Sequence, residues 1–262
     1  MFSTKTIELK SVAELSLMRQ AGGILAETLA VLAAAVRPGL ATLELDRLAA
    51  AEFARRGAQP AFLGYRGFPA SVCVSLNDEI IHGIPSAQRI IREGDLVSLD
   101  LGCLYRGFYS DSAVTVAVGA VSAEASRLIA VTRQALADGI AAMRPGGRLG
   151  DVSRAIQERV EAAGFSVVRE FVGHGIGRAL HEDPPVANFG QAQTGPRLVP
   201  GMVLAIEPMV NAGGWEARTQ QDGWTSVTKD GSLSAHFEHT VAMTAQGPEV
   251  LTSRGRSAAD RS

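Results

Sequence analysis

The chain has 262 residues, 46% hydrophobic and 20% charged, with 25 basic against 27 acidic side chains for a net charge of −2. A near-neutral balance without a basic cluster excludes a nucleic-acid footprint, and no apolar run reads as a bilayer span. The opening MFSTKTIELK lacks the apolar core of a secretory signal, and two cysteines, Cys73 and Cys103, are too few for a disulfide framework or a thiolate metal site. The expectation is a monomeric protein of the reducing cytoplasm. Its basic residues are arginines except for Lys5, Lys10 and Lys229.

In chain order, a helix beginning near Leu15 runs to a break at Pro38-Gly39. A second helix follows, with the apolar stripe Leu45, Leu48, Ala49 and Phe53 and a terminal Gly57. Two strand patterns come next, VSLDLGC (97–103) and DSAVTVAV (111–118), joined by LYRGF. The order then returns. VRPGLATLELDRLAAAEFARRG (36–57) lies without a gap over MRPGGRLGDVSRAIQERVEAAG (143–164) at an offset of 107, and the same offset carries EGDLVSLD (93–100) onto PGMVLAIE (200–207). The second copy has its own stripe, Val152, Ala155, Ile156 and Val160, before Gly164. Two helix-helix-strand halves, approximately 15–120 and 125–250, argue for one integrated α+β domain over 1–262 rather than two. The last dozen residues, LTSRGRSAADRS, are expected to fray.

Each half delivers a carboxylate from an apolar strand. Asp100 leaves on the small polar face with Ser98 and Gly102, and the repeat aligns it with Glu207. A hairpin centred on Tyr105-Arg106 would set Asp100 directly opposite Asp111. The second half repeats the design with Glu207 in VLAIEPMV and Glu238 in HFEHTVAM. Four buried acids repel unless something positive lies between them. Two divalent cations fit that charge, and hard oxygen ligands with one imidazole suit Mn, Fe, Co or Zn.

His174 in GHGIG supplies that imidazole, on backbone bare enough to pass close to a ligand. GHGIG fails as a phosphate loop, since no Gly-Lys-Ser/Thr element follows. His181 in LHEDPP is seven residues further on, too distant on a rigid turn to be presumed a ligand of the same ion. His82 in IIHGIP suits a loop lining a cleft. His236 shares the Glu238 face, and His239 alternates away from it.

The order Asp100, Asp111, GHGIG, IEP with Glu207 and EHT with Glu238 resembles type I methionine aminopeptidases, peptidases of the pita-bread metallopeptidase family. The resemblance runs from LSLMRQAG to EVLT. It is carried most specifically by LGYRGFPASVCVSLNDEIIHGIP, EFVGHGIGRALHEDPPV, PGMVLAIEPMVNAG and DGWTSVTKDGSLSAHFEHT. It implies a pita-bread fold and a dinuclear metallopeptidase that removes the initiator methionine from nascent chains, preferring a small second residue. On the matching positions, Asp111 and Glu238 would bridge both metals, Asp100 would hold one, and His174 with Glu207 the other. A metal-bridging hydroxide would attack the first peptide carbonyl, with Glu207 carrying the proton, His181 bonding the carbonyl and His82 contacting the scissile amide.

Tyr65, Phe68, Cys73 and Trp224 match positions lining the family's methionine pocket, and Asn77 and Ser234 match a monovalent-cation site of some members. Transient ribosome association is a further family expectation. Three positions depart from the pattern: Leu180 stands where many members place Phe, Arg106 replaces an acidic turn residue, and His236 occupies a position commonly Gln. The alternatives are an Xaa-Pro aminopeptidase or prolidase of the same fold, or a non-catalytic pita-bread binding protein. A dinuclear phosphoesterase is disfavoured, because it would present additional histidines or basic phosphate contacts.

Overall fold

The computed structural model describes residues 7–253. The first half opens with helix α1 (Val12–Ala35), started by a capping box in which the Ser11 hydroxyl accepts from the Glu14 N–H and the Glu14 carboxylate from the Ser11 N–H. Helix α2 (Thr42–Arg55) buries Leu45, Ala49 and Phe53. Strands β1 (Gln59–Pro60), β2 (Cys73–Leu76), β3 (Glu79–Ile81), β4 (Leu96–Tyr105) and β5 (Phe108–Ala117) complete the half.

The second half repeats the plan with α3 (Ala123–Ala142) and α4 (Leu149–Ala162). Strands β6 (Ser166–Val167), β7 (Gly173–Gly175), β8 (Glu182–Val186), β9 (Val203–Ile206) and β10 (Met209–Asn211) follow. The chain then forms β11 (Ala217–Thr219), β12 (Ser226–Thr228), β13 (Ser234–His236), β14 (His239–Thr244) and β15 (Gly247–Val250). The α2 and α4 helices begin and end 107 residues apart, and β4 and β9 begin 107 apart, so the offset read in the sequence is structural. Gly39, Gly57, Gly146 and Gly164, paired by that offset, all have positive φ (85°, 66°, 77° and 76°), which explains why glycine stands at both helix breaks.

In the first sheet β4 is central, flanked by β1 and β2 on one side and β5 on the other; in the second the order is β15-β14-β9-β7-β8. One apolar cluster packs α1 and α2 on β4, another packs α3 and α4 on β9, and a third joins the halves, with Leu15, Met18 and Phe62 beside Ile176, Val203 and Ala205. By length and composition α1 qualifies as a membrane span, contrary to the sequence reading. Its Leu25 and Leu32 are instead fully buried in the core cluster that contains β4 residues Val97 and Leu99. Gly22 lets α1 press on the backbone of Leu251, where a Cβ would meet the carbonyl oxygen at 2.2 Å. Leu251 and Thr252 are accordingly buried rather than frayed, and residues 254–262 of the predicted frayed tail lie outside the described residues.

Two registers correct the sequence reading. The β4–β5 turn is centred on Arg106-Gly107, both at positive φ (49° and 82°), the two-residue turn whose twist matches a hairpin. Asp100 therefore faces Ala113, and Asp111 faces Gly102, so the two acids are diagonal neighbours on one face rather than opposite each other. In the second half Met209 pairs with His236 and Ile206 with His239. Superposing this hairpin on the first equates His236, not Glu238, with Asp111, and Glu238 with Ala113.

Candidate metal centre and peptide pocket

The centre lies where the two halves meet. Ala113 and Glu238 exchange backbone hydrogen bonds across the seam (Glu238 N to Ala113 O 3.0 Å, Ala113 N to Glu238 O 3.4 Å). On either side a buried threonine clamps a peptide of the other half. The Thr240 hydroxyl accepts from the Asp111 N–H and donates to the Asp111 carbonyl, both at 2.8 Å. Thr115 does the same for His236, at 2.8 and 2.9 Å. Within the first half, Gly102 lets the Phe62 ring close onto β4, because a Cβ there would meet that ring at 2.6 Å.

One atom from each of Asp111, His174 and Glu238 falls within 4.8 Å of the others, and all three residues are buried. Glu207 joins through its Oε1, 3.6 Å from His174 Nε2. Asp100, the diagonal neighbour of Asp111 on the β4–β5 face, lines the same cavity. Burial, reinforced by the neighbouring negative charges, holds Asp111, Glu207 and Glu238 well above the usual carboxylate range, and burial lifts Asp100 to about 7.

Buried Asp100 Oδ1 and Glu238 Oε1 have no hydrogen-bond partner within the protein. Acceptors left bare at such cost are explained when a cation takes them. His174 is prepared in the same sense: its Nδ1 lies 2.8 Å from the Gly175 carbonyl, which can only accept, so the proton sits on Nδ1 and Nε2 carries the lone pair. Burial depresses His174 to about 3, keeping it neutral. The residues thus fit divalent cations with oxygen and imidazole ligands.

A cavity of about 130 Å³ opens onto this cluster. All eleven predicted metal, catalytic and pocket residues line it: Asp100, Asp111, His174, Glu207 and Glu238 on one side, Tyr65, Phe68, Cys73 and Trp224 on the other, with His82 and His181 between. Phe68 meets Trp224 edge-on at 5.2 Å, and His82, at φ 60°, sets its ring edge-on to Trp224 at 6.1 Å. The loop 176–181 folds back, so His181 is not remote: its ring centroid is 4.1 Å from that of His174, and Tyr65 Oη lies 2.9 Å from its Nδ1.

His236 does approach the site, with Nε2 3.9 Å from Glu207 Oε2 and neither ring nitrogen hydrogen-bonded, whereas His239 turns away to Thr252. Asn77 and Ser234 come together outside the cavity wall. The Ser234 N–H donates to the Asn77 carbonyl at 2.8 Å, and the Asn77 carboxamide is engaged by Asp95 and Leu96. Arg106 sits at the β4–β5 turn, over Tyr105 and off the cavity wall, while Leu180 lines the cavity. Sequence reasoning missed Phe62 and Arg66, which also line it; Arg66 flanks Tyr65, and its position beside that pocket residue was the available signal.

Residues 16–245 match the model of metallopeptidase family M24. The methionine aminopeptidase of Clostridium perfringens is 54% identical over 246 residues, covering 94% of this chain and 98% of that protein, and that of Clostridium acetobutylicum is 51% identical with the same coverage. Among solved structures, a methionine aminopeptidase from Thermotoga maritima superposes with a TM-score of 0.93 at 45% identity, covering 95% of this chain and all of that one. A prolidase from Pyrococcus furiosus shares the fold at a TM-score of 0.76 and 22% identity, but only 66% of its chain is covered. The chain belongs to metallopeptidase family M24, within which it stands with the methionine aminopeptidases.

Proposed function

We propose that the chain removes the N-terminal methionine from nascent polypeptides in the cytoplasm, preferring a small second residue, and that it uses two divalent cations. The observation that carries this reading is the single cavity in which a thioether-sized aromatic and thiol pocket abuts five metal-ligand side chains, four of them buried. Identity of 51 to 54% to two methionine aminopeptidases, against 22% to the prolidase, favours it over the Xaa-Pro alternative.

Asp111 and Glu238, together with Asp100, His174 and Glu207, would hold the cations. When bound, the cations supply a water acidic enough to act as a nucleophile near neutral pH. Phe68, Trp224, Cys73 and Tyr65 hold the methionine side chain and exclude water from it. His181 is kept neutral by burial. With the Tyr65 O–H donating to its Nδ1, its proton sits on Nε2, ready to donate to the scissile carbonyl as negative charge develops. Glu207 takes up the proton that the attacking water gives up and passes it to the leaving amine, and His82 contacts that amide.

The test is amino-acid release from Met-Ala-Ser, Met-Lys-Ser, Leu-Ala-Ser and Ala-Pro-Ala, before and after chelation and with Mn or Co restored. Metal-dependent release of Met from Met-Ala-Ser alone is expected. Cleavage of Ala-Pro-Ala instead would transfer the chain to the proline-peptidase branch, and no release under any metal would make it a binding protein.

A further inference from the structure

Lys10 is one of three lysines in the chain, and its side chain is almost wholly buried, 3% exposed, with no part in the chemistry above. Its Nζ ion-pairs with the Glu182 carboxylate and donates to the Glu8 carbonyl at 3.0 Å. Its own N–H is tied to the Gly201 carbonyl at 2.7 Å, just before β9. The Lys10 stem passes where a Cβ on Gly177 would be, 2.1 Å from Lys10 Cε. The last glycine of GHGIG is therefore explained by the lysine that crosses it.

Glu182 has a second task. Its Oε1 accepts from the N–H groups of Arg178 and Ala179, at 2.7 and 3.1 Å, closing the turn that ends in His181. The Arg178 side chain ion-pairs with Glu14 of α1, a second tie from the same N-terminal segment to the same turn. An anion held this deeply needs a compensating charge, and Lys10 is the cation that touches it.

We infer that Lys10 and Glu182 form a positioning pair: the lysine holds the glutamate in place, and the glutamate holds the 177–182 turn so that His181 meets the scissile carbonyl. This rests on the role proposed for His181. Displacing a catalytic group by about 1 Å can cost about 10²-fold in rate without altering substrate affinity.

Three variants test it on Met-Ala-Ser, each checked for metal content and melting temperature. Lys10→Met leaves the Glu182 charge uncompensated, and kcat should fall about 10²-fold with KM and metal content held. Lys10→Met with Glu182→Gln removes both charges but keeps an oxygen for the two N–H groups, and kcat should recover to within a few fold of wild type. Lys10→Met with Glu182→Met is equally uncharged but lacks the acceptor, and kcat should fall again. If Lys10→Met alone does not fold, the two charge-neutral doubles decide between them. Equal kcat in the two doubles, or wild-type kcat in a folded Lys10→Met, overturns the inference. Absence of activity in the wild type would instead strike at the peptidase reading itself.

Discussion

Asp111 and His236 occupy the same place in the two halves of the molecule. Each lies on the inner strand of its half, and each has its peptide clamped by a threonine of the other half, Asp111 by Thr240 and His236 by Thr115. The duplicated scaffold therefore puts an acid on one side of the seam and an imidazole on the other. Glu238, equivalent to Ala113, supplies a carboxylate that has no counterpart in the first half. The centre is asymmetric although the frame that holds it is not.

That relationship separates two nearly isosteric changes. Thr240→Val and Thr115→Val each strip a buried N–H of its acceptor, and each should destabilise the fold by about 1–3 kcal/mol. Only the first frees the Asp111 peptide, so only it should weaken metal binding, by about tenfold. Isothermal titration of Mn into both metal-free variants measures this, and equal affinities would remove the clamp's part in holding the ligand.

The two neighbouring histidines should fail in different ways. His174→Ala removes the prepared Nε2 and should abolish activity mainly by emptying the centre. His181→Ala should keep the metals and lose about 10²–10³ in kcat, the scale of one carbonyl-stabilising donor. Metal analysis beside steady-state kinetics distinguishes them, and full occupancy in an inactive His174→Ala would refute the ligand assignment.

The offset of 107 was legible because both helix breaks require glycine at positive φ and both following helices carry the same buried stripe. The metal-type ligands were legible for a related reason, since Asp100, Asp111, Glu207 and Glu238 are acids in or beside apolar strands, where an unpaired charge has no place. The register between them was not. It depends on whether the turn takes Tyr105-Arg106 or Arg106-Gly107, and a shift of one residue at the turn moves the partner of Asp100 from Asp111 to Ala113. Lys10, Thr115 and Thr240 were hidden for another reason. Each acts on a peptide or carboxylate more than 100 residues away, and nothing in its own neighbourhood marks it.

Cys73 walls the pocket but should not react. Burial, with the nearby Asp100, Asp111 and Glu238 charges, pushes its thiol far up, and burial raises Cys103 to about 12. The thiolate is the nucleophile, and neither cysteine forms it in the native fold at neutral pH. Iodoacetamide at pH 8 should leave the native metal-free protein unmodified by mass spectrometry and add two groups after denaturation. Rapid alkylation of the native protein would mean that the pocket wall opens.

Metal removal should make stability fall as pH rises, and the sign follows from two opposed sets of groups. The four site carboxylates have raised folded pKa values, with Asp100 at about 7. The five histidines are depressed by burial, His174 and His236 to about 3, His82 and His239 to about 4, and His181 in the same direction. Between about pH 4.5 and 6.5 the effects oppose, since the folded chain keeps protons on its acids while the unfolded chain keeps them on its histidines. Above about pH 6.5 the unfolded histidines give up their remaining protons, and by about pH 7.5 the raised acids dominate the difference. There the folded state binds more protons than the unfolded one, so each step up in pH favours unfolding. The urea midpoint of the chelated protein should therefore be lower at pH 8 than at pH 6.5. Added Mn should abolish that fall, because binding holds the carboxylates ionised and its stabilisation grows as protons cease to compete. A metal-free midpoint that rises over the same interval would mean that the four acids do not share a dry centre.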